Sequence, residues 1–158
     1  MIRAVLFDAG NTLIRMDYAA IAGELRRHGT SVTPADVQRA EWRARVRLDT
    51  EVFAQAAVFS SESRDTAAWY VRYLLEALGV IDPRVVEAVT EWRRLYNAPV
   101  GLWTVAEPEA AEALALVRAR GRVSGVVSNS NGTIRGILER LDLARHVDFI
   151  LDSHEEGL

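Results

Sequence analysis

Asp8 stands where an apolar run gives way to a turn. Ile2, Ala4, Val5, Leu6 and Phe7 precede it, and Ala9, Gly10, Asn11 and Thr12 follow. A strand that is apolar on both faces belongs inside a parallel sheet. Open α/β sheets bind their ligands beyond the carboxyl ends of such strands. A carboxylate at that rim stands where chemistry usually happens. The same residue could instead cap its own turn by accepting from the Gly10 or Asn11 backbone N–H.

A second segment has the same form. Residues 123–132 read Val-Ser-Gly-Val-Val-Ser-Asn-Ser-Asn-Gly, a β-rich run ending in small polar residues. Ile134, Ile137, Leu138 and Leu141 follow at helical spacing. Ser128 and Asn129 are thus expected at a strand end, just before a helix N-terminus, where free N–H groups favour an anion. Helix capping by Ser130 or Asn131 is the alternative.

Together the two segments resemble the motifs of the haloacid dehalogenase superfamily of aspartate-nucleophile hydrolases. Its first motif, Asp-x-Asp-Gly-Thr-Leu after an apolar strand, corresponds to Asp8-Ala9-Gly10-Asn11-Thr12-Leu13. Its second, an apolar strand ending in Ser or Thr, corresponds to Val126-Val127-Ser128-Asn129. Residues 147–157 are similar to its third strand and the loop toward its third motif.

The resemblance implies an α/β fold. It would have a Rossmann-like three-layer parallel-sheet core, incomplete here, over residues 1–15 and 104–158, and an inserted helical bundle (C1-type) cap over 16–103. It implies Asp8 as catalytic nucleophile and position 10 as the place of a general acid. A magnesium ion would be held by Asp8 and the Gly10 carbonyl, with Asn11, Ser128 and Asn129 binding substrate. The implied partner is a small phosphorylated molecule.

The family's third-motif lysine and fourth-motif acidic pair have no counterparts among these 158 residues, and every one of the 19 basic residues is arginine. The expectation is therefore the front portion of a longer protein, with little or no turnover by residues 1–158 alone.

Gly10 departs from the family pattern, since a glycine cannot protonate a leaving group. Loss of general acid–base help costs ~10²–10⁴ in rate. Three alternatives follow: another group supplies the proton, the substrate needs little protonation, or the protein binds without turnover. Dehalogenases of the family need neither metal nor acid, but usually carry an aromatic residue at this position and draw an arginine from the cap. Phosphonate-cleaving members use a cap lysine, which residues 16–103 lack.

The elements that must position these groups are legible. Helices are expected over 17–27, over a stretch opened by Thr33-Pro34-Ala35-Asp36, over 63–78, and after Asp82-Pro83. The second would turn Val37, Ala40, Ala44 and Leu48 inward. The third would present Trp69, Tyr70, Tyr73, Leu74 and Ala77, and the fourth Val85, Val89, Trp92 and Tyr96. Short polar turns between them suggest an antiparallel bundle. Pro99 and Gly101 mark the return of the chain, and Glu107-Pro108 opens a helix carrying Ala111, Leu114, Ala115 and Val117, ended by Gly121.

Arg39, Arg43 and Arg47 form one stripe, which reads as a solvated face. His28, His146 and His154 show no metal-ligand spacing. With 49% apolar and 26% charged residues, the composition is that of an ordinary globular chain. A net charge of −3 gives no footprint for nucleic acid or anionic membrane. Cysteine is absent, which removes thiol chemistry and fits a reducing, cytoplasmic setting. Nothing in the residues sets an oligomeric state.

Overall fold

Period-2 apolar runs become strands and period-3.6 runs become helices in the computed structural model, which describes residues 2–52, 54 and 64–157. In chain order the elements are β1 (Ala4–Phe7), β2 (Ile14–Arg15), α1 (Tyr18–Arg27), α2 (Pro34–Arg47), α3 (Arg64–Ala77), α4 (Pro83–Leu95), β3 (Val105–Ala106), α5 (Ala110–Ala119), β4 (Val123–Ser128), α6 (Ile134–Arg140) and β5 (Phe149–Asp152). They form two compact units. One comprises Met1–Met16 with Pro99–Leu158, the other Asp17–Ala98. The chain rejoins the first unit at Pro99.

In the first unit β1, β4 and β5 make a parallel sheet with β4 in the middle. Side chains alternate across it. Ser124, Val126, Ser128, Ile150 and Asp152 are buried on one face, and Val126 and Ile150 pack there with Ala110 and Leu114 of α5 and Ile134, Ile137 and Leu138 of α6. The other face, with Leu6 60%, Val123 48% and Val127 44% exposed, has no helix over it among the described residues. The described core is therefore two layers deep. Phe149 of β5 lies across Gly125, where an added Cβ would collide with its ring. A small antiparallel pair, β2 with β3, braces the segment after β1.

The structure departs from the sequence expectations at α5 and at α6. On α5, Ala111 and Ala115 are exposed and the buried residues are Ala110 and Leu114. The helix begins at Ala110 with Glu109 as N-cap, after a turn in which the Ala110 N–H donates to the Glu107 carbonyl at 3.1 Å. The second departure concerns α6. Its N-cap is Thr133, with no side-chain cap of its own, so neither Ser130 nor Asn131 caps it directly.

The second unit holds α1 to α4. Thr33 and Asp36 form a reciprocal capping box at the start of α2, with Pro34 in the first turn. Such caps contribute ~1 kcal/mol. Val37, Ala40, Ala44 and Leu48 are all buried, as their spacing requires. Asp17 caps α1 through its bond from the Ala20 N–H, 2.9 Å, and Asp82 caps α4. On α3 the buried set is Val71, Tyr73, Leu74 and Leu75, whereas Trp69 stays 41% exposed. The expected start at Ser63 lies outside the described residues.

Among the described residues of these helices, Glu24 and Glu41 are buried carboxylates. Glu41 is fully buried, accepts a 2.6 Å bond from Tyr70 Oη, and lies 3.1 Å from Arg45 Nε. No described helix is long and apolar enough to cross a membrane.

Candidate active site

The strand register brings the two sequence motifs to one rim. Phe7 pairs with Val126 and Ser128 with Asp152, so Asp8, Ser128 and Asp152 all arrive at the carboxyl edge of the sheet. With strands ~4.8 Å apart and a rise of ~3.3 Å per residue, the Asp8 and Ser128 Cα atoms are roughly 6 Å apart.

Asp8 is exposed, and its carboxylate has no hydrogen bond or ion pair with any described residue. It does not cap its own turn. The turn is instead organised by the Ala9 carbonyl, which accepts from the Thr12, Leu13 and Ile14 N–H groups at 3.3, 2.9 and 3.0 Å. Ala9, Leu13 and Ile14 are buried and anchor the turn to the core. Asn11 sits at φ 57°, a left-handed conformation that asparagine tolerates, and its N–H donates to the Ile14 carbonyl at 2.7 Å. It lines a cleft of about 470 Å³ together with Phe7, Thr12, Glu107 and Ala113. Asp8, Ser128 and Asn129 are not in that lining.

Gly10 has an unexpected neighbour. A Cβ at this position would meet the Trp103 indole at 3.7 and 3.8 Å, ordinary contact distances, and no other group outside the adjoining chain is as close. The glycine is not held there by a left-handed backbone either. A side chain could therefore be accommodated, and where one would project there is an indole.

On β4, Ser128 is 8% exposed and its hydroxyl has no partner among the described residues. Asn129 is exposed, and its Oδ1 accepts from Ser153 Oγ at 2.8 Å, so its side chain is committed to the loop after β5. Its backbone N–H and its Nδ2 amide have no partner among the described residues.

The helix terminus expected to receive an anion already has one. Asp152, fully buried, accepts from Ser130 Oγ and from the backbone N–H groups of Gly132 (3.1 Å), Ile134 (3.4 Å) and His154 (3.0 Å). Burial pushes this carboxyl up, but the hydrogen bonds from Ser130, His154, Ile134 and Gly132 together outweigh it, and its pKa lies below the ordinary carboxylate value. Asp152 was missed from sequence, although its parity with Ile150 placed it on the buried face. Trp103 carried no such signal.

Of the arginine stripe, Arg39 pairs with Asp36 at 2.5 Å, and Arg47 pairs with Glu51 and Glu76 and stacks over Tyr73 at 3.9 Å. Arg43 is exposed. No group of three or more His, Cys, Asp or Glu among the described residues could hold a metal ion without other ligands.

No protein-family model matches the chain. It is 29% identical over 164 residues to the human haloacid dehalogenase-like hydrolase domain-containing protein 3, covering 99% of this chain and 63% of that protein. The chain thus spans less than two thirds of the length of the curated relative it matches. Among solved structures it aligns with a hydrolase from Streptococcus pneumoniae (TM-score 0.60, 17% identity, 99% of this chain and 69% of the other). It also aligns with a structure described as the HAD-hydrolase YfnB from Bacillus subtilis bound to magnesium (TM-score 0.56, 17% identity, 99% and 66%). The chain is thus similar in sequence to a haloacid dehalogenase-like protein and similar in fold to solved hydrolase structures.

Proposed function

We propose that the protein is a hydrolase that transfers the phosphoryl group of a small phosphomonoester to Asp8 and then to water. The observation that carries this reading is the exposed, unpartnered Asp8 carboxylate one strand away from Ser128, at the sheet rim where ligands bind. An Asp8 oxygen attacks phosphorus, the bond to the leaving oxygen breaks, and that oxygen departs with the electron pair. Water then attacks the acyl phosphate, frees the Asp8 carboxylate and gives up its proton to solvent. The Ser128 hydroxyl and the Asn129 N–H hold phosphate oxygens, and Asn11 borders the substrate. Residues 16–103 correspond to the cap that the family resemblance implies.

The donor set suits magnesium. Asp8 offers hard oxygen ligands not engaged by other residues, and the Gly10 carbonyl adds another. Magnesium keeps several waters and shares phosphate oxygens rather than requiring an all-protein cage. Once bound, it would offset the charge of two anions brought together.

Release of 4-nitrophenol from 4-nitrophenyl phosphate by the full-length protein tests this. Activity should require magnesium and fall by about 10³-fold or more in Asp8→Asn. Undiminished turnover by Asp8→Asn would remove the nucleophile assignment. The Trp103 indole beside Gly10 favours one second reading, displacement of halide from a 2-haloacid, since that leaving group needs no proton. Halide release that persists with chelator present would select it.

A further inference from the structure

We infer that Trp103 is the leaving-group wall of this site, and that the site accepts phosphoesters whose leaving group is aromatic and weakly basic. This rests on the reading of Asp8 as phosphoryl nucleophile. The resemblance makes the side chain of residue 10 the place of the acid for the departing oxygen. In this chain it is absent, and the Trp103 ring lies 3.7 Å from where its first atom would stand. Trp103 is half-buried and packs against the buried core cluster that includes Ala9, Leu13 and Ile14.

An indole has a single N–H donor and no group that titrates near neutrality, so it cannot protonate an alkoxide. It can offer a flat apolar surface to an aromatic ring. Two requirements then coincide at one residue. A phenolate leaves without a proton, and its ring gains contact area on Trp103. Atoms balance without an acid: the P–O bond breaks toward the phenolate, which takes its proton from solvent after departure.

The experiment compares 4-nitrophenyl, phenyl and simple alkyl phosphates with the full-length protein, in the wild type, Trp103→Phe and Trp103→Ala. The wild type should favour 4-nitrophenyl over alkyl phosphate by on the order of 10²–10⁴ in kcat/KM, the range general acid help would supply. Trp103→Ala should raise KM for the phenyl esters by roughly three- to tenfold. Its inhibition by inorganic phosphate should hold, and Trp103→Phe should restore most of the affinity. Aryl and alkyl esters turned over within about tenfold of one another would overturn the inference while leaving the nucleophile in place. So would a Trp103→Ala protein that loses phosphate inhibition as well, since the ring would then be a structural prop. Absence of Asp8-dependent turnover with every ester would remove the phosphatase reading, and this inference with it.

Discussion

Asp152 at the end of β5 accepts the Gly132 N–H at 3.1 Å, tying the loop after β4 to the neighbouring strand. The same carboxylate receives Ser130, Ile134 and His154, so one buried charge satisfies four donors. Removing it leaves those donors inside the protein without a partner. Asp152→Ala should destabilise the sheet unit by about 2–3 kcal/mol, with Asp152→Asn costing less because one acceptor remains. Urea unfolding followed by near-UV circular dichroism would measure both.

The same contacts set a pH dependence. The Asp152 pKa is depressed in the folded state, so its stabilisation is complete above the ordinary carboxylate pKa and is lost as pH falls through the lower folded value. Wild-type stability should therefore drop with acid more steeply than that of Asp152→Asn. Parallel curves for the two proteins below pH ~4 would contradict this account.

Tyr70 gives the opposite sign at the other end of the scale. Burial foremost, and then the Glu41 carboxylate bonded at 2.6 Å, hold its phenol well above the ordinary value. A raised folded pKa means that the unfolded chain releases this proton first, so the stabilisation is present at neutral pH and declines above about pH 10. Tyr70→Phe should cost about 1–3 kcal/mol by leaving one oxygen of buried Glu41 with fewer donors, and should weaken that alkaline decline. Thermal unfolding of the two proteins at pH 7 and pH 10.5 would show it.

On the open face of the sheet Phe149 covers Gly125, and a methyl group there would meet the ring. Because the ring has solvent beside it, it can swing away. Gly125→Ala should therefore cost about 1 kcal/mol, at the low end for overpacking. Combining it with Phe149→Ala should give less than the sum of the two single losses, a coupling that a double-mutant cycle detects.

Leu6 at 60% and Val127 at 44% exposure share that face, and β1 is an unpaired edge of the described sheet. Exposed apolar edges invite association. Leu6→Lys should lower light scattering on concentration and reduce binding of a hydrophobic dye, with a change in stability within about 0.5 kcal/mol. Unchanged scattering would mean that this face does not drive association.

Local rules were legible in the residues. The Thr33–Asp36 capping box, the prolines opening α2 and α4, and the inward set Val37, Ala40, Ala44 and Leu48 follow from interactions within three or four residues of chain. The apolar run before Asp8 and the β-rich run before Ser128 predicted parallel strands, because a strand apolar on both sides has few other places to go. What stands over Gly10, and what fills the α6 terminus, was not legible. Trp103 and Gly10 lie 93 positions apart, and Asp152 meets Gly132 across 20. Such meetings depend on how strands register and how a core closes behind a turn. The chain by itself determined which carboxylate reaches the rim, and tertiary packing alone decided that an indole stands beside Gly10 and that a second carboxylate occupies the α6 terminus.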